Sequence, residues 1–134
     1  MNKREIKLDK YGISSKRYKE LCGFCEQYPE WKDFLYAHDG SAGAMQYSDM
    51  PKAHNTSSSV EELVIKREKY VRKCAIIEKS AHMADKSLAE FLIKGVCYGY
   101  SVSYLTTVCG MYISERSYYR IRRKFFYYLD QEVG

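Results

Sequence analysis

The sequence predicts an all-α protein, a helical bundle of about five or six helices that ends in a C-terminal helix-turn-helix. Three observations support this fold class. Apolar residues recur at spacings of three and four in several segments. A serine or an aspartate precedes most of these segments, as helix caps do. No segment alternates apolar and polar residues as strands do, and a chain of 134 residues suits one compact domain or two very small units.

Residues 1–37 are expected to form a charged arm followed by two N-terminal helices. The arm, residues 1–13, holds four cations and two acids and is expected to pack loosely. Ser14 and Ser15 are suitable caps for a helix that runs to about Tyr28, and Pro29 suits the first turn of a second short helix. The buried side of that second helix is expected to be Trp31, Phe34 and Leu35.

Residues 38–58 are predicted to be a flexible linker, because they hold few apolar anchors and many turn-forming residues. A long helix is then expected from Ser59, followed by Glu61 and Glu62, to about Ala84. Its apolar stripe has nine members: Val60, Leu63, Val64, Tyr70, Val71, Cys74, Ile77, Ala81 and Ala84. The stripe suits either packing within the chain or a seam between two copies. Packing within the chain is favoured, because the other helices need a partner for their own apolar faces.

Two more helices are predicted between the long helix and the last one. Asp85 or Ser87 caps the first, which contains Gly95 and ends at Gly99. Its inner face is Leu88, Phe91, Leu92 and Val96. With the long helix it makes an antiparallel hairpin. Ser101 caps the second, which Gly110 closes. Its inner face is Val102, Leu105, Val108 and Cys109.

The last predicted helix begins after Ser114 and runs to about Asp130. At 100° per residue it separates into two faces. The inner face is aromatic and apolar and contains Tyr118, Ile121, Phe125 and Leu129. The outer face contains Arg116, Arg120, Arg123, Lys124 and Tyr127. A short capped helix, a glycine turn and a second capped helix are the order of elements in a helix-turn-helix.

The outer face of this helix is a candidate DNA-binding surface. From Arg116 to Lys124 the chain has five cations and no acid. The planar fork of arginine bonds two acceptors on guanine or phosphate. In a helix-turn-helix the N-terminal part of the second helix meets base edges. This assigns base or near-base contacts to Arg116, Ser117 and Arg120, and backbone contacts to Arg123 and Lys124. The alternative is a solvated face of an ordinary amphipathic helix.

Four segments, in order along the chain, resemble small phage-encoded transcriptional regulators of the RinA/ArpU type. They are residues 18–32, residues 47–51, Ile65–Arg67 and, most clearly, Ser117–Asp130. The C-terminal segment of that family is similar to the helix-turn-helix of sigma factor region four. The resemblance implies a regulator that binds promoter DNA, with host RNA polymerase as a further partner. This chain differs in its linker, which is poorer in glycine, and in the 110–114 turn, which lacks proline.

Charge and composition are compatible with two kinds of partner. The net charge of +5 permits nucleic acid binding. The 14 tyrosines, including Tyr98, Tyr100, Tyr104 and Tyr112, also suit a protein interface. The competing hypothesis is therefore a small phage protein that binds and inhibits a host protein, of the anti-CRISPR or another anti-defence type. A homodimer is a further candidate assembly, because regulators often read symmetric half-sites.

No enzymatic, metal or membrane chemistry is predicted. Cys22 and Cys25 have the spacing of zinc ligands, but no second pair completes four ligands, and both lie on the apolar face of a helix. No nucleophile with a nearby base, no paired carboxylates and no glycine-rich phosphate loop are evident. No cofactor is expected. With no signal segment and no apolar run of membrane length, we expect the protein in the cytoplasm of a bacterial host.

Overall fold

Six α-helices make up the described part of the protein, and this confirms the predicted all-α class. The fold comes from a computed structural model, which describes residues 10–38 and 53–134, with side chains from residue 59 in the second range. The helices are α1 (Ser15–Glu26), α2 (Tyr28–Ala37), α3 (Ala53–Ala84), α4 (Ala89–Cys97), α5 (Val102–Thr107) and α6 (Glu115–Val133). Within these two ranges there is no strand.

Side-chain caps start three of the helices where the sequence predicts them. Ser14, Ser101 and Ser114 each accept a hydrogen bond from the backbone amide three residues ahead, at 3.2, 3.1 and 3.1 Å. These amides have no partner inside their own helices, so each cap stabilises a helix start. The prediction that Asp85 or Ser87 caps α4 is wrong, because α4 begins after Leu88, which makes no side-chain cap bond. The Asp85 carboxylate instead accepts from the Ser87 and Leu88 amides at 2.9 and 3.1 Å, in the turn before the helix.

The long helix α3 begins earlier than predicted. The expected start at Ser59 is wrong, and so is the expected linker over residues 53–58, because the helix already runs from Ala53. Residues 39–52, the rest of the predicted linker, lie outside the described residues. Once the core-facing part of a helix has formed, each further residue adds a backbone hydrogen bond. A helix therefore does not have to start at its first apolar residue.

The N-terminal segment is attached to the body at its C-terminal end, which corrects the prediction of a loosely packed arm. Ile13 is fully buried, and the ring of Tyr11 lies 5.5 Å from the ring of Tyr127 on α6. An apolar side chain such as Ile13 gains free energy by leaving water, so it holds the segment down. Residues 1–9 lie outside the described residues.

One hydrophobic core joins all six helices, and its centre lies between α6 and the C-terminal half of α3. α1, α2 and α4 pack around this pair, and α5 is attached through Leu105. The fully buried apolar side chains are Ile13, Leu21, Cys25, Ile77, Ala81, Leu92, Leu105, Phe125, Phe126 and Leu129. The N-terminal helices and the C-terminal part thus share one core.

The apolar stripe of α3 is buried only in its C-terminal half. Cys74, Ile77 and Ala81 are buried as predicted. Val64 and Val71, however, keep 48% and 43% of their surface exposed, so the prediction that the whole stripe packs within the chain is wrong. Within the described residues these two side chains stay exposed, since sequence periodicity indicates an apolar face whether or not the same chain packs on it.

The short helix α2 packs on the N-terminal half of α3 through aromatic rings. Trp31 is buried, as predicted, and its ring lies 5.1 Å from that of Phe24 and 6.1 Å from that of Tyr70. Phe34 and Leu35 are only half-buried, which corrects their assignment to the core. The ring of Phe34 stands edge-on to Tyr70 at 5.1 Å. Only one side of α2 faces the bundle, and Phe34 and Leu35 lie at the edge of that side.

Candidate nucleic-acid interface

The connection between α5 and α6 is compact and anchored at both ends. Gly110 has a φ of 79°, which glycine adopts without strain, and the Met111 amide donates a 2.8 Å hydrogen bond to the Leu105 carbonyl. Met111 is buried. Val108, predicted to be on the inner face, is 63% exposed, so that prediction is wrong. The chain reverses direction at Gly110, and the reversal brings Met111 into the core in place of Val108.

Helix α6 is fixed along its whole length by its inner face. The predicted residues Tyr118, Ile121, Phe125 and Leu129 are all buried, and Phe126 joins them. Near the C-terminus, Asp130 forms an ion pair with Arg17 of α1 at 2.6 Å. Glu132 pairs with Lys79 of α3 at 3.3 Å. A helix held in this way presents its outer face in one orientation.

The N-terminal part of α6 is seated against α4 at Gly95. A Cβ atom at this position would overlap the Tyr118 hydroxyl, so only glycine allows the ring to approach the α4 backbone this closely. Burial raises the pKa of Tyr118 to about 12. The phenol therefore stays neutral and packs as part of the core. The same contact limits how closely the start of α6 approaches α4.

The outer face of α6 carries the four predicted cations. Arg116, Arg120 and Lys124 are exposed and Arg123 is half-buried. Within residues 10–38 and 53–134, none of the four forms an ion pair with a carboxylate. Three of them, with Ser117, line one open depression of about 400 Å³. The structure thus brings together four of the six predicted site residues around a single concave surface of positive charge.

Two of the predicted contact residues, Ser117 and Tyr127, are engaged in capping and in packing. The backbone amide of Ser117 donates to the Ser114 hydroxyl at 3.1 Å, and the two hydroxyls lie 3.1 Å apart. Tyr127 is half-buried, and its ring contacts those of Tyr11 and Tyr128 at 5.5 and 5.4 Å. Ser117 therefore belongs to the helix cap, and Tyr127 joins the outer face to the N-terminal segment. Their contacts with DNA remain predictions.

One cation of the run, Arg122, turns inward and was missed. Its guanidinium lies 5.0 Å from the ring centroid of Phe126 and 5.8 Å from that of Tyr18. Such cation–π contacts stabilise a partly desolvated arginine. On the helical wheel Arg122 lies midway between Tyr118 and Phe126, and this position was the signal that marked it as inward-facing. Of the five cations in this run, four therefore remain on the outer face of α6.

The cysteines lie among apolar neighbours. Cys25 is buried and Cys22 is half-buried, both on the inward side of α1. Burial raises the pKa of Cys22, and it raises the pKa of Cys74 to about 11. Nowhere in the described ranges do three or more His, Cys, Asp or Glu side chains form a group able to hold a metal ion. These thiols are neutral packing groups at neutral pH.

A second notable surface consists of tyrosines between α4 and α5. Tyr98, Tyr100 and Tyr104 are each more than a third exposed. Their rings contact one another, with centroids 6.3 Å apart for the first two and 4.9 Å apart for the last two. Tyr112, in the α5–α6 connection, is 70% exposed. We call Tyr98, Tyr100 and Tyr104 the tyrosine cluster.

Comparison with protein-family models, with curated proteins and with solved structures finds no match to this chain. Of the helices that the structure describes, none combines the length and the apolar character needed to cross a membrane.

Proposed function

We propose that this protein binds duplex DNA through the outer face of α6. The observation that carries the proposal is the set of four cations on that face, none of which has a carboxylate partner in the described part of the chain. Unpaired cations on one side of a rigid helix attract a polyanion, because phosphate contacts release condensed counterions. From Arg116 to Lys124 the face spans about 12 Å at 1.5 Å per residue.

The arrangement at the start of α6 supports a division of roles. The Ser114 cap fixes the first turn, and the positive end of the helix dipole lies there. Arg116 and Arg120 project from the N-terminal half, which is the part of a recognition helix that meets base edges. Arg123 and Lys124 follow one turn later and serve the phosphate backbone. In this proposal α5, the 108–114 connection and α6 act as a helix-turn-helix.

The wider setting of this proposal comes from the resemblance to RinA/ArpU-type regulators. On this resemblance we extend the DNA-binding proposal: the protein is a phage-type transcriptional regulator that acts in the bacterial cytoplasm, without a cofactor and without enzymatic activity. Host RNA polymerase is a candidate second partner. The resemblance in Ser117–Asp130 covers most of the helix whose outer face carries the proposal.

The test is selection of bound duplexes from a random pool, followed by affinity measurements on the selected sequence. We expect Arg120→Ala with Arg123→Ala to weaken binding by about tenfold or more, since each phosphate or base contact contributes on the order of 1 kcal/mol. The matched control is Lys69→Ala with Arg72→Ala, which removes the same charge from exposed positions on α3. Equal losses for the two pairs, or no selection at all, would contradict the proposal.

The tyrosine cluster favours a second candidate function, the binding of a host protein. Three exposed rings in mutual contact form a rigid amphipathic patch, and tyrosine is enriched at protein interfaces. Inhibition of a host defence protein, of the anti-CRISPR or another type, is the form of this function that we consider. A pull-down from nuclease-treated host lysate tests it. A partner that survives nuclease and is lost with Tyr100→Ala and Tyr104→Ala supports it, and loss of every partner after nuclease opposes it.

A further inference from the structure

An open cleft of about 650 Å³ lies where the C-terminal end of α3, helix α4 and the α4–α5 connection meet. Its walls come from the last turn of α3, from the turn before α4, from one side of α4 and from the first two rings of the tyrosine cluster. A cleft of this volume is in the range that holds small molecules. None of its lining residues belongs to the outer face of α6, so it is separate from the proposed DNA-binding surface.

Aromatic and aliphatic side chains form most of the wall of this cleft. The ring of Tyr98 lies 6.1 Å from that of Tyr28 on one side and 6.3 Å from that of Tyr100 on the other. Tyr28 is buried, whereas Tyr98 and Tyr100 keep 44% and 38% of their surface exposed. Ala89 and Ile93 of α4 complete the apolar lining. Flat rings with free surface favour a ligand that is itself flat and aromatic.

The charged side chains of the lining leave one cation without a partner. Among the described residues that line the cleft, Glu90 is the one carboxylate, and it pairs with Lys94 at 2.9 Å. Lys86 is exposed and forms no ion pair within residues 10–38 and 53–134. His82 and Ser87 add further hydrogen-bonding groups to the lining. An anion that enters the cleft therefore meets a free ammonium group.

Two carboxylates near the cleft are engaged elsewhere. Glu78 accepts a 2.6 Å hydrogen bond from the Tyr28 hydroxyl and pairs with Lys32 at 3.4 Å. Asp85 accepts from two backbone amides in the turn before α4. Neither carboxylate belongs to the lining, and neither forms an ion pair with Lys86. The positive charge at the cleft is thus left for a ligand.

We propose that this cleft binds a planar aromatic anion, with its rings against Tyr98 and Tyr100 and its anionic group on Lys86. The rings gain free energy by leaving water and by contact with the tyrosines. The anionic group gains a charge-assisted hydrogen bond from the ammonium. A neutral aromatic molecule uses only the walls and an aliphatic anion only the lysine, so the site favours a ligand with both features. The proposal rests on neither DNA binding nor the binding of a host protein.

The first test is a fluorescence titration of the full chain with anilinonaphthalene sulfonate, a planar aromatic anion used as a probe of apolar surface. We expect saturable binding at one site per chain, with a dissociation constant in the micromolar range. Tyr98→Ala removes part of the wall and should raise this constant by about threefold or more. The matched control is Val64→Ser with Ile65→Ser, which removes exposed apolar side chains from α3 and should leave the affinity unchanged.

The second test separates the role of the charge from that of the rings. Phenylnaphthylamine has the rings of the first probe without the sulfonate. Lys86→Ala should weaken binding of the sulfonate by about threefold or more and leave binding of the amine unchanged. Lys86→Arg keeps the charge and should retain the affinity for the sulfonate. Lys69→Ala removes the same charge from an exposed position on α3 and should change neither constant.

Four results would overturn the proposal. They are the absence of saturable binding, loss of binding in the control pair on α3, equal effects of Lys86→Ala on the two probes, and wild-type affinity in both Tyr98→Ala and Tyr100→Ala. Circular dichroism checks that each variant is folded. Arg120→Ala with Arg123→Ala, which tests duplex binding, should leave the probe affinity unchanged. If this pair abolishes binding of the sulfonate, the anion lies on α6 and the cleft is not its site.

Discussion

Two helices of this protein carry five cations each in a short run, and the two runs differ in the acid they contain and in how packing engages their cations. On α3, residues 66–73 include Glu68, and two of the lysines lie over rings of α2: Lys66 over Phe34 at 4.9 Å and Lys73 over Trp31 at 5.2 Å. On α6, residues 116–124 include no acid. We therefore favour α6 over α3 as the nucleic-acid surface, because its run contains no acid and its four outer cations lie on one face.

The largest expected effect concerns the packing that holds each run in place. Phe125→Ala should lower the free energy of unfolding by about 3–5 kcal/mol, since the ring is fully buried and its loss leaves a cavity. The matched change on α3 is Ile65→Ala, which should change stability by less than about 0.5 kcal/mol because the side chain is exposed. Urea denaturation measures both. Similar losses of stability at the two positions would show that α6 is no more firmly anchored than the N-terminal half of α3.

A smaller effect tests the seat of α6 on α4. Gly95→Ala should destabilise the protein by about 1–3 kcal/mol, because the new methyl group overlaps the Tyr118 hydroxyl. Adding Tyr118→Phe removes that hydroxyl and should recover part of the loss. Gly23→Ala in α1 is the control, since its Cβ meets nothing within 4 Å and should stabilise the helix by about 0.5–1 kcal/mol. If Gly95→Ala is also stabilising, the close approach is wrong.

The inward cation of α6 provides a third test. Arg122→Ala should cost about 1–2 kcal/mol of stability, because its guanidinium and methylenes pack on Tyr18 and Phe126. Lys66→Ala removes an exposed cation from the Phe34 ring and should cost about 0.5 kcal/mol. Thermal unfolding resolves the difference. An Arg122→Ala variant of wild-type stability would place this arginine with the outer cations instead.

Sequence patterns predicted much of α6 and less of α3, for physical reasons that differ between the two. The Ser114 cap and the inner residues Tyr118 and Phe125 follow from local bonding and from a single amphipathic period. On α3 the exposure of Val64 depends on which neighbouring helices pack there, and the start at Ala53 depends on propagation of the helix beyond its apolar stripe. Local periodicity contains neither.

The turn before α6 shows the same limit. The sequence predicted that Gly110 ends α5. It did not predict that Met111 is buried instead of Val108, because this depends on the direction in which the chain leaves that glycine. On the outer face, Arg116 and Arg120 were assigned correctly to the surface by their angle alone. Arg122 was assigned to neither face from the sequence, although the stem and guanidinium of an arginine pack well on aromatic rings.

The last stability effect appears only at alkaline pH. Burial raises the pKa of Tyr118 to about 12, above the value of about 10 for an unfolded tyrosine. The stability that this group contributes is fully present below pH ~10 and is lost as the pH rises toward the folded value. Urea midpoints measured from neutral to alkaline pH should fall less steeply in Tyr118→Phe than in the wild type. Identical slopes would mean that this phenol ionises freely in the folded protein.

The most direct test of the account is the salt dependence of duplex binding for three proteins. With two phosphate contacts, those of Arg123 and Lys124, the wild type should show a slope of log K against log salt near –1.8, at roughly –0.9 per phosphate. Arg120→Ala with Arg123→Ala should reduce the slope to about –0.9, because it removes one phosphate contact. Lys69→Ala with Arg72→Ala, from the basic run of α3, should leave it unchanged. A slope that falls equally in both variants would contradict the assignment of DNA binding to the outer face of α6.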